Sequence, residues 1–218
     1  MSYLISKPRS HEQLDLDYFL EWPPQLWRRP FLFATGGDNG LQDFAGMRVL
    51  DFGCRYGRMC CLFGIFGASV IGVDIDAEAV ERARAEVKKH HLEHRVTILH
   101  THGDVRHLKK SSFDIVFTKS VLYYRKNLDE ILGQLHAVLR PKGRVIFIEN
   151  YLGSRFEAKI RRHLFHRQWM NSVDDYVGIR KAQLPIFNKW FENLQFQSFW
   201  RICCVLTGTR RNSASNFL

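Results

Sequence analysis

Three aspartates of this 218-residue chain each follow a short apolar run, and the first of them leads into a glycine-punctuated turn. Asp51 precedes the turn "FGCRYG" with Gly53 and Gly57, Asp74 ends the run "SVIGVD", and Asp104 stands in "THGDV". Glycines let a backbone turn tightly and approach a ligand, and the N–H groups at a helix start are unpaired. A carboxylate at the tip of a second strand can accept both hydroxyls of a ribose. These residue types predict a site for a nucleoside-containing ligand; the alternative is a set of helix caps and a loop carboxylate.

Such residues can lie close together if the elements between them form an open α/β sheet. Five short runs are rich in Val, Ile, Leu or Phe and more continuously apolar than alternating, which predicts strands covered on both faces, as in a parallel sheet. The stretches "DAEAVERARAEVKKHH" and "NLDEILGQLHAVLR" have apolar residues at helical spacing. Ligands of such sheets bind beyond the carboxyl ends of the strands, where the aspartates stand. The predicted strands are residues 48–51, 69–74, 96–100, 113–118 and 144–149.

The flanking segments have different patterns. Residues 11–29 look helical, but three prolines in "EWPPQLWRRP" predict a helix, a break and a short aromatic segment. The segment 154–170, "SRFEAKIRRHLFHRQWM", predicts a basic amphipathic helix, and "LQFQSFWRICCVLTGTR" is long enough for two strands although no obvious turn divides it. We therefore expect one structural domain with four parts. These are an N-terminal helical and aromatic arm that acts as a lid (1–45), a ligand-binding core (46–150), a helical substrate cap (151–193) and final strands with a tail (194–218).

Composition excludes several classes of protein. No window approaches the roughly 18 apolar residues of a membrane span, and the N-terminus lacks the pattern of a signal peptide. The five cysteines include two vicinal pairs, which suit neither a disulfide framework nor a zinc site, so we expect reduced thiols, no metal and a cytoplasmic protein. Most of the net charge of +10 lies in residues 151–218, which contain eleven Lys/Arg and only four Asp/Glu. This favours a phosphate-bearing, acidic or membrane-surface partner, although solubility alone is a sufficient reason.

The core resembles the class I S-adenosylmethionine-dependent methyltransferases, in the small-molecule group that includes ubiquinone-type enzymes. The matching segments are, in order, "VLDFGCRYG", "VIGVDID", "HGDV", "FDIVFTKSVLYY" and "HAVLRPKGRVIFIE", within residues 46–150. The resemblance implies a Rossmann-like α/β fold with a seven-stranded, mostly parallel sheet, helices on both faces and an antiparallel last strand. Nicotinamide dehydrogenases also have a glycine turn and a distal acid, but they require G-x-G-x-x-G, which this turn lacks.

The resemblance also implies which residues hold S-adenosylmethionine and its product S-adenosylhomocysteine. Asp51 and the backbone from Gly53 through Cys54 and Arg55 to Gly57 would hold the methionine amino and carboxylate end. Arg55 stands where the family usually has the middle glycine of Gly-x-Gly-x-Gly, and a side chain fits there if φ stays negative. Three interpretations stay open: the guanidinium reaches a carboxylate of cofactor or substrate, it is a surface or structural group, or cofactor binding has been lost.

The nucleoside end is assigned in the same way. Asp74 would bind the ribose hydroxyls, and Ile75 would pack against the adenine. Asp104 would accept a hydrogen bond from the adenine amino group, and the Val105 N–H would donate to a ring nitrogen. Two residues at the end of the fourth predicted strand would lie beneath the sulfonium, namely Lys119 and Ser120.

The acceptor side is less constrained, because an activated methyl donor mainly requires alignment and exclusion of water. Tyr123, Tyr124 and Glu149 are the candidates for orienting or deprotonating an acceptor, each with a purely structural role as the alternative. The fourth-strand segment lacks the Asn/Asp-Pro-Pro-Tyr/Phe pattern of enzymes that methylate base amines, which argues against nucleic acid as substrate.

We therefore expect methylation of a small molecule, on oxygen rather than nitrogen, with an acceptor that is phosphate-bearing or lipid-linked as one option. Segment 154–170 is then either an ordinary cap helix or a peripheral membrane contact. Two other classes stay open. One is a non-catalytic adaptor with a methyltransferase-like fold, and the other is an RNA methyltransferase that uses the basic C-terminal third.

Overall fold

The computed structural model describes residues 15–20, 24–37, 44–122, 127–151 and 178–212. The chain divides into two compact units, Met1–His100 and Thr101–Leu218.

The first unit is built on three parallel strands: β1 (Arg48–Phe52), β2 (Ser69–Asp74) and β3 (Val96–His100). β2 lies between the other two strands. Helix α3 (Arg58–Ile65) connects β1 to β2, and helix α4 (Ala77–Lys89) connects β2 to β3. The carboxyl ends of parallel strands meet at one edge, so the turn after β1 and the tip of β2 are neighbours.

Helix α4 has the amphipathic pattern that its sequence predicts. Its N-cap, Asp76, accepts hydrogen bonds from the N–H groups of Glu78 and Ala79 at 3.0 and 3.1 Å. These two N–H groups have no partner within the helix, so the cap stabilises the first turn. The apolar residues expected on one face are all buried, namely Ala79, Val80, Ala83 and Val87.

Two N-terminal helices, α1 (Leu16–Leu20) and α2 (Pro24–Thr35), also belong to the first unit. The prediction of a short aromatic segment after the prolines is wrong, because α2 begins at Pro24 and continues through Pro30. A proline fits the first turn of a helix, where its missing N–H would have no partner. Phe31 of α2 is fully buried, with its ring centroid 6.5 Å from that of Phe63 in α3. This part of the arm is therefore anchored in the core of the unit.

In its described residues, the second unit contains four strands: β4 (Phe113–Lys119), β5 (Leu139–Asn150), β6 (Phe191–Phe199) and β7 (Cys203–Arg210). β4 and β5 are parallel, and β7 lies antiparallel between β5 and β6. The helices are α5 (Leu128–Val138) and α6 (Leu184–Trp190), the latter preceded by a 3₁₀ turn. Together the two units supply the seven strands of a mixed, mostly parallel sheet with an antiparallel last strand, so the predicted Rossmann-like fold is confirmed.

Three predicted boundaries differ in this unit. β5 begins at Leu139 rather than at residue 144, since the left-handed conformation of Lys142 (φ 63°) lets the chain continue through "PKG". The turn between β6 and β7 has no glycine: Trp200 and Arg201 adopt φ of 48° and 55°, which explains the lack of a turn signal. β6 begins at Phe191, inside the segment predicted as helical. The basic segment 154–170 lies outside the described residues.

Candidate cofactor-binding site

The turn after β1 is held against the end of β2 by backbone hydrogen bonds. The N–H groups of Gly53 and Cys54 both donate to the Val73 carbonyl, at 2.8 and 3.0 Å. Gly53 and Gly57 have φ of 81° and 73°, in the left-handed region that glycine adopts without strain. This is the tight turn that the glycine spacing predicts.

Asp74 connects the same turn to the tip of β2. Its carboxylate accepts a hydrogen bond from the Arg55 N–H at Oδ2 (2.8 Å) and from the Asp76 N–H at Oδ1 (3.0 Å). The helix-cap alternative for Asp74 is wrong, because Asp76 is the N-cap of α4. Each carboxylate oxygen has further acceptor capacity, and the side chain is half-buried. Asp74 can therefore accept hydroxyl groups in addition to the two N–H groups.

Arg55 is accommodated differently from our expectation. Its φ is 45°, in the left-handed region, whereas the sequence argument required a negative angle. The residue thus keeps the conformation that a glycine would take, at an unfavourable free energy of about 1 kcal/mol. The side chain is exposed, and its guanidinium lies 4.7 Å from the centroid of the Tyr56 ring. This local stacking agrees with the interpretation of Arg55 as a surface residue.

Gly57 is required for packing as well as for its backbone angle. A Cβ atom at this position would lie 2.9 Å from the Cβ of Ala83, closer than side-chain atoms approach. The start of α3 therefore touches α4, and this contact fixes where the helix begins.

Asp51 lies beneath the turn and is almost completely buried, with 2% of its surface exposed. Its Oδ2 accepts a hydrogen bond from the Cys60 thiol at 3.1 Å. The helix-cap alternative is wrong here too, since the N-cap of α3 is Gly57. The direct contact of Asp51 with the methionine group stays a prediction.

The thiols around Asp51 are poorly reactive. Burial, a hydrogen bond with Cys54 and the charge of Asp51 together raise the pKa of the Cys60 thiol well above its usual value. Burial raises the pKa of Cys61 to about 12. All five cysteines lie in the described residues, are buried and form no disulfide, as the prediction of reduced thiols requires. Sequence reasoning did not identify Cys60 as a neighbour of Asp51.

Ile75 follows Asp74 and is 56% exposed, which is unusual for a large apolar side chain. Its carbonyl oxygen lies 3.0 Å from Nε2 of His100 at the end of β3, so its backbone is held while its side chain stays accessible. An exposed apolar side chain next to a strand-end carboxylate suits the predicted contact with an adenine ring.

The other predicted adenine contacts belong to the second unit. Asp104 is partly exposed, and its Oδ1 accepts the Arg106 N–H at 3.2 Å. The Val105 N–H donates to Oε1 of Gln134 at 3.2 Å. The predicted bond from Val105 to an adenine nitrogen therefore requires the Gln134 side chain to move. Gln134 was not identified from sequence, because its contact joins α5 to a loop far away in the chain.

Glu149, the third acceptor candidate, accepts hydrogen bonds from neighbouring residues of its own chain. It is fully buried, and its Oε1 accepts a hydrogen bond from the Thr118 hydroxyl at 2.6 Å. Its Oε2 accepts the N–H groups of Val121 and Leu122, both at 3.0 Å. These contacts support the structural alternative for Glu149, and its contact with an acceptor stays a prediction.

Lys119 and Ser120 stand at the end of β4, as predicted, and both are half-buried. Ser120 has a left-handed φ of 60°, and its Oγ is buried without a hydrogen-bond partner among the described residues. The other two acceptor candidates, Tyr123 and Tyr124, lie outside the described residues.

Within the described ranges, no helix combines the length and the apolar character needed to cross a bilayer. Among those same residues, no three His, Cys, Asp or Glu side chains cluster as a metal site would require.

Comparison with known proteins gives a consistent family. A family model described as a methyltransferase domain matches residues 43–196. A ubiquinone biosynthesis O-methyltransferase from Bradyrhizobium sp. (strain ORS 278) is 32% identical over 110 residues, 50% of this chain and 42% of that protein. A 24-methylenesterol C-methyltransferase 2 from Oryza sativa subsp. japonica is 27% identical over 142 residues, 65% of this chain and 39% of that protein. The chain thus spans about two fifths of the length of these relatives.

The fold has counterparts among solved structures. The crystal structure of an S-adenosylmethionine dependent methyltransferase from Mesorhizobium loti has a TM-score of 0.59 and 17% identity, covering 79% of this chain and 96% of that chain. At this identity the likeness concerns the fold alone, whereas the family model covers more than half of the sequence. The chain therefore belongs to the methyltransferase domain family, and its fold is that of the class I S-adenosylmethionine-dependent methyltransferases.

Proposed function

We propose that this protein transfers a methyl group from S-adenosylmethionine to a small-molecule acceptor. The observation that carries the proposal is the hydrogen bond between the Arg55 N–H and Asp74 Oδ2, which joins the glycine turn to the strand-end carboxylate. The turn offers backbone groups, and the carboxylate retains acceptor capacity for two hydroxyls. These groups fit the amino-acid and ribose portions of the cofactor.

The residues of the first unit suit this ligand in their chemistry. Asp74 is half-buried and held by two N–H groups, so it accepts hydrogen bonds without losing its orientation. Ile75 offers an exposed apolar surface to a flat ring. Gly53 leaves the backbone of the turn open to close approach. The departure at Arg55 does not remove the backbone conformation of the motif, which argues against lost cofactor binding.

When bound, the cofactor would supply a methyl group already activated on a sulfonium, so the chain's residues need only orient the partners and exclude water. Tyr123 and Tyr124 stay predictions for orienting or deprotonating a hydroxyl acceptor, while the hydrogen bonds of Glu149 favour a structural role for that residue. The Asp104 and Val105 contacts likewise stay predictions.

For the acceptor we propose oxygen as the attacked atom. The support is the name of the ubiquinone biosynthesis O-methyltransferase, although the sterol relative is named for transfer to carbon. Incubation with methyl-labelled cofactor and matched phenol, amine and sterol acceptors would identify the atom by mass spectrometry of the product. Label on the amine or on carbon alone would contradict transfer to oxygen.

Cofactor binding is tested by titration calorimetry with S-adenosylhomocysteine. We expect the wild-type chain to bind, and we expect Asp74→Ala to raise the dissociation constant by about tenfold or more, since two hydrogen bonds to a charged group are lost. Asp76→Ala is the matched control, because it removes a carboxylate two residues away that caps α4. Wild-type protein that binds no S-adenosylhomocysteine would favour the adaptor, and equal affinities for both variants would remove Asp74 from the site.

Two partner interactions stay proposals with separate tests. Contact of segment 154–170 with a membrane predicts co-sedimentation with anionic vesicles at low salt, and no binding would contradict it. RNA as the substrate predicts binding with a steep salt dependence, so a shallow dependence would exclude that function.

A further inference from the structure

We propose that Glu149 is a positioning residue: its buried carboxylate fixes the loop formed by Ser120, Val121 and Leu122, and cofactor affinity depends on it although it does not touch the ligand. The inference rests on the proposed function, since Lys119 and Ser120 are predicted to lie beneath the sulfonium.

The first argument concerns the backbone N–H groups at the end of β4. The parallel ladder with β5 ends with Lys119 opposite Ile148, and the Ser120 N–H donates to the Ile148 carbonyl at 2.8 Å. β4 ends there, and the next two N–H groups donate to Glu149 Oε2, while the Asn150 carbonyl of β5 accepts the Ile179 N–H. Because Leu122 is buried, water is a poor substitute for this acceptor. The Glu149 side chain of β5 thus accepts the backbone N–H groups that follow β4, in place of a β5 carbonyl.

The second oxygen of the same carboxylate holds the strand itself. Thr118, which is fully buried, donates its hydroxyl to Glu149 Oε1 at 2.6 Å. Three donors from β4 and its loop therefore converge on one side chain of β5. A carboxylate, with two acceptor oxygens, accepts all three hydrogen bonds at once.

The third argument is the strain in the loop that Glu149 holds. Ser120 adopts a left-handed φ of 60°, which is unfavourable for a residue with a Cβ atom. Such a conformation persists only where its surroundings impose it. The Ser120 Oγ is moreover buried without a hydrogen-bond partner in the described part of the chain. A strained residue with an unsatisfied hydroxyl is typical of a loop shaped for a ligand rather than for stability.

Three variants separate positioning from general destabilisation. Glu149→Ala removes every acceptor. Glu149→Gln keeps one oxygen for the Val121 and Leu122 N–H groups, and its NH₂ can donate to the Thr118 hydroxyl, so it should restore the loop. Val145→Ala is the control, because it creates a cavity in the same strand without touching the loop.

Two measurements are made on each full-length variant: the dissociation constant for S-adenosylhomocysteine, and amide hydrogen exchange by NMR. For Glu149→Ala we expect affinity to fall by about tenfold and exchange at Val121 and Leu122 to accelerate by about tenfold or more. The Ser120 amide, which is bonded to Ile148, serves as the internal reference. Glu149→Gln should stay within about threefold of wild type in both measurements, and Val145→Ala should leave affinity unchanged.

Glu149→Ala with wild-type affinity, or an equal loss of affinity in Val145→Ala, would overturn the proposal. Wild-type protein that fails to bind S-adenosylhomocysteine would instead overturn the proposed function. If Glu149→Ala does not fold, Thr118→Val decides, because it frees one carboxylate oxygen and should accelerate exchange at Val121 and Leu122 by about threefold. Unchanged exchange in that variant would contradict the role of Glu149.

Discussion

Asp74 in the first unit and Glu149 in the second form the same kind of contact in different surroundings. Asp74 accepts the N–H groups of Arg55 and Asp76, and Glu149 accepts those of Val121 and Leu122. Asp74 is half-buried, whereas Glu149 has no exposed surface. Water can replace the first carboxylate, whereas Thr118 and Leu122 beside the second are buried and Val121 is half-buried. These two acids therefore differ in burial rather than in the number of backbone N–H groups they accept, and burial makes the loss of Glu149 the more costly for stability.

The largest effect on stability should come from removing the carboxylate of Glu149, with the same change at Asp74 for comparison. We expect Glu149→Ala to lower the free energy of unfolding by about 3 kcal/mol, because buried donors are left unsatisfied. Asp74→Ala should lower it by at most about 1 kcal/mol, because water hydrates the exposed N–H groups. Urea denaturation followed by circular dichroism measures both values. Equal losses of stability in the two variants would contradict a role for burial.

A second prediction tests what holds the turn near Asp74. Gly57→Ala should destabilise the protein by about 2 kcal/mol, from the left-handed backbone and from the clash with Ala83. Gly46 has the same φ of 73° but nothing within 4 Å of an added Cβ, so Gly46→Ala isolates the backbone contribution of about 1 kcal/mol. Thermal or chemical denaturation of both variants would reveal the difference, and equal values would assign no importance to the contact between α3 and α4.

Asp76 lies two residues from Asp74 and allows the effect of a helix cap to be distinguished from that of a ligand-binding carboxylate. Asp76→Ala should reduce the free energy of unfolding by about 1 kcal/mol through the loss of the N-cap of α4. It should leave affinity for S-adenosylhomocysteine unchanged, unlike Asp74→Ala. Calorimetric titration of both variants provides the test, and weaker binding by the Asp76 variant would place that residue in the site.

The smallest effect concerns Arg55. Arg55→Gly should raise the free energy of unfolding by about 0.5 kcal/mol, since relief of the left-handed strain exceeds the lost stacking on Tyr56. Affinity for S-adenosylhomocysteine should not change, because the backbone N–H that contacts Asp74 is retained. Arg55→Ala is the control that keeps the strain without the guanidinium. Weaker binding in both variants would assign the guanidinium to the cofactor.

The local parts of this structure were predictable, and the contacts between distant segments were not. Apolar runs located β2 and β3 to the residue, and helical spacing identified the buried face of α4, because both patterns depend on neighbours in sequence. The role of Glu149 depends on N–H groups that lie some thirty positions earlier in the chain, so its position at a strand end looked catalytic. The start of β5 (residues 139–143) and the length of helix α2 were predicted wrongly for another reason. Proline and glycine are weak signals where packing imposes a regular structure.

Among the predictions of the site's geometry, too, those that depend on local sequence were met by the structure, and those that depend on distant contacts were not. The position of Asp74 beside the turn followed from the general geometry of parallel strands. The sign of φ at Arg55 did not, since it depends on tertiary contacts of the turn. Nor could a sequence pattern indicate that Gln134 already occupies the Val105 N–H.

The conformation of Arg55 has a consequence for how relatives of this chain are recognised. A motif of three glycines specifies residue types, whereas a ligand contacts the backbone amides and carbonyls of the turn. Here Arg55 keeps the left-handed backbone conformation that glycine would adopt. A pattern that insists on glycine would reject this chain, whereas a template of backbone torsion angles would accept it. Sequences that lack one glycine of this turn can therefore retain its backbone conformation, and the missing glycine alone does not indicate an inactive protein.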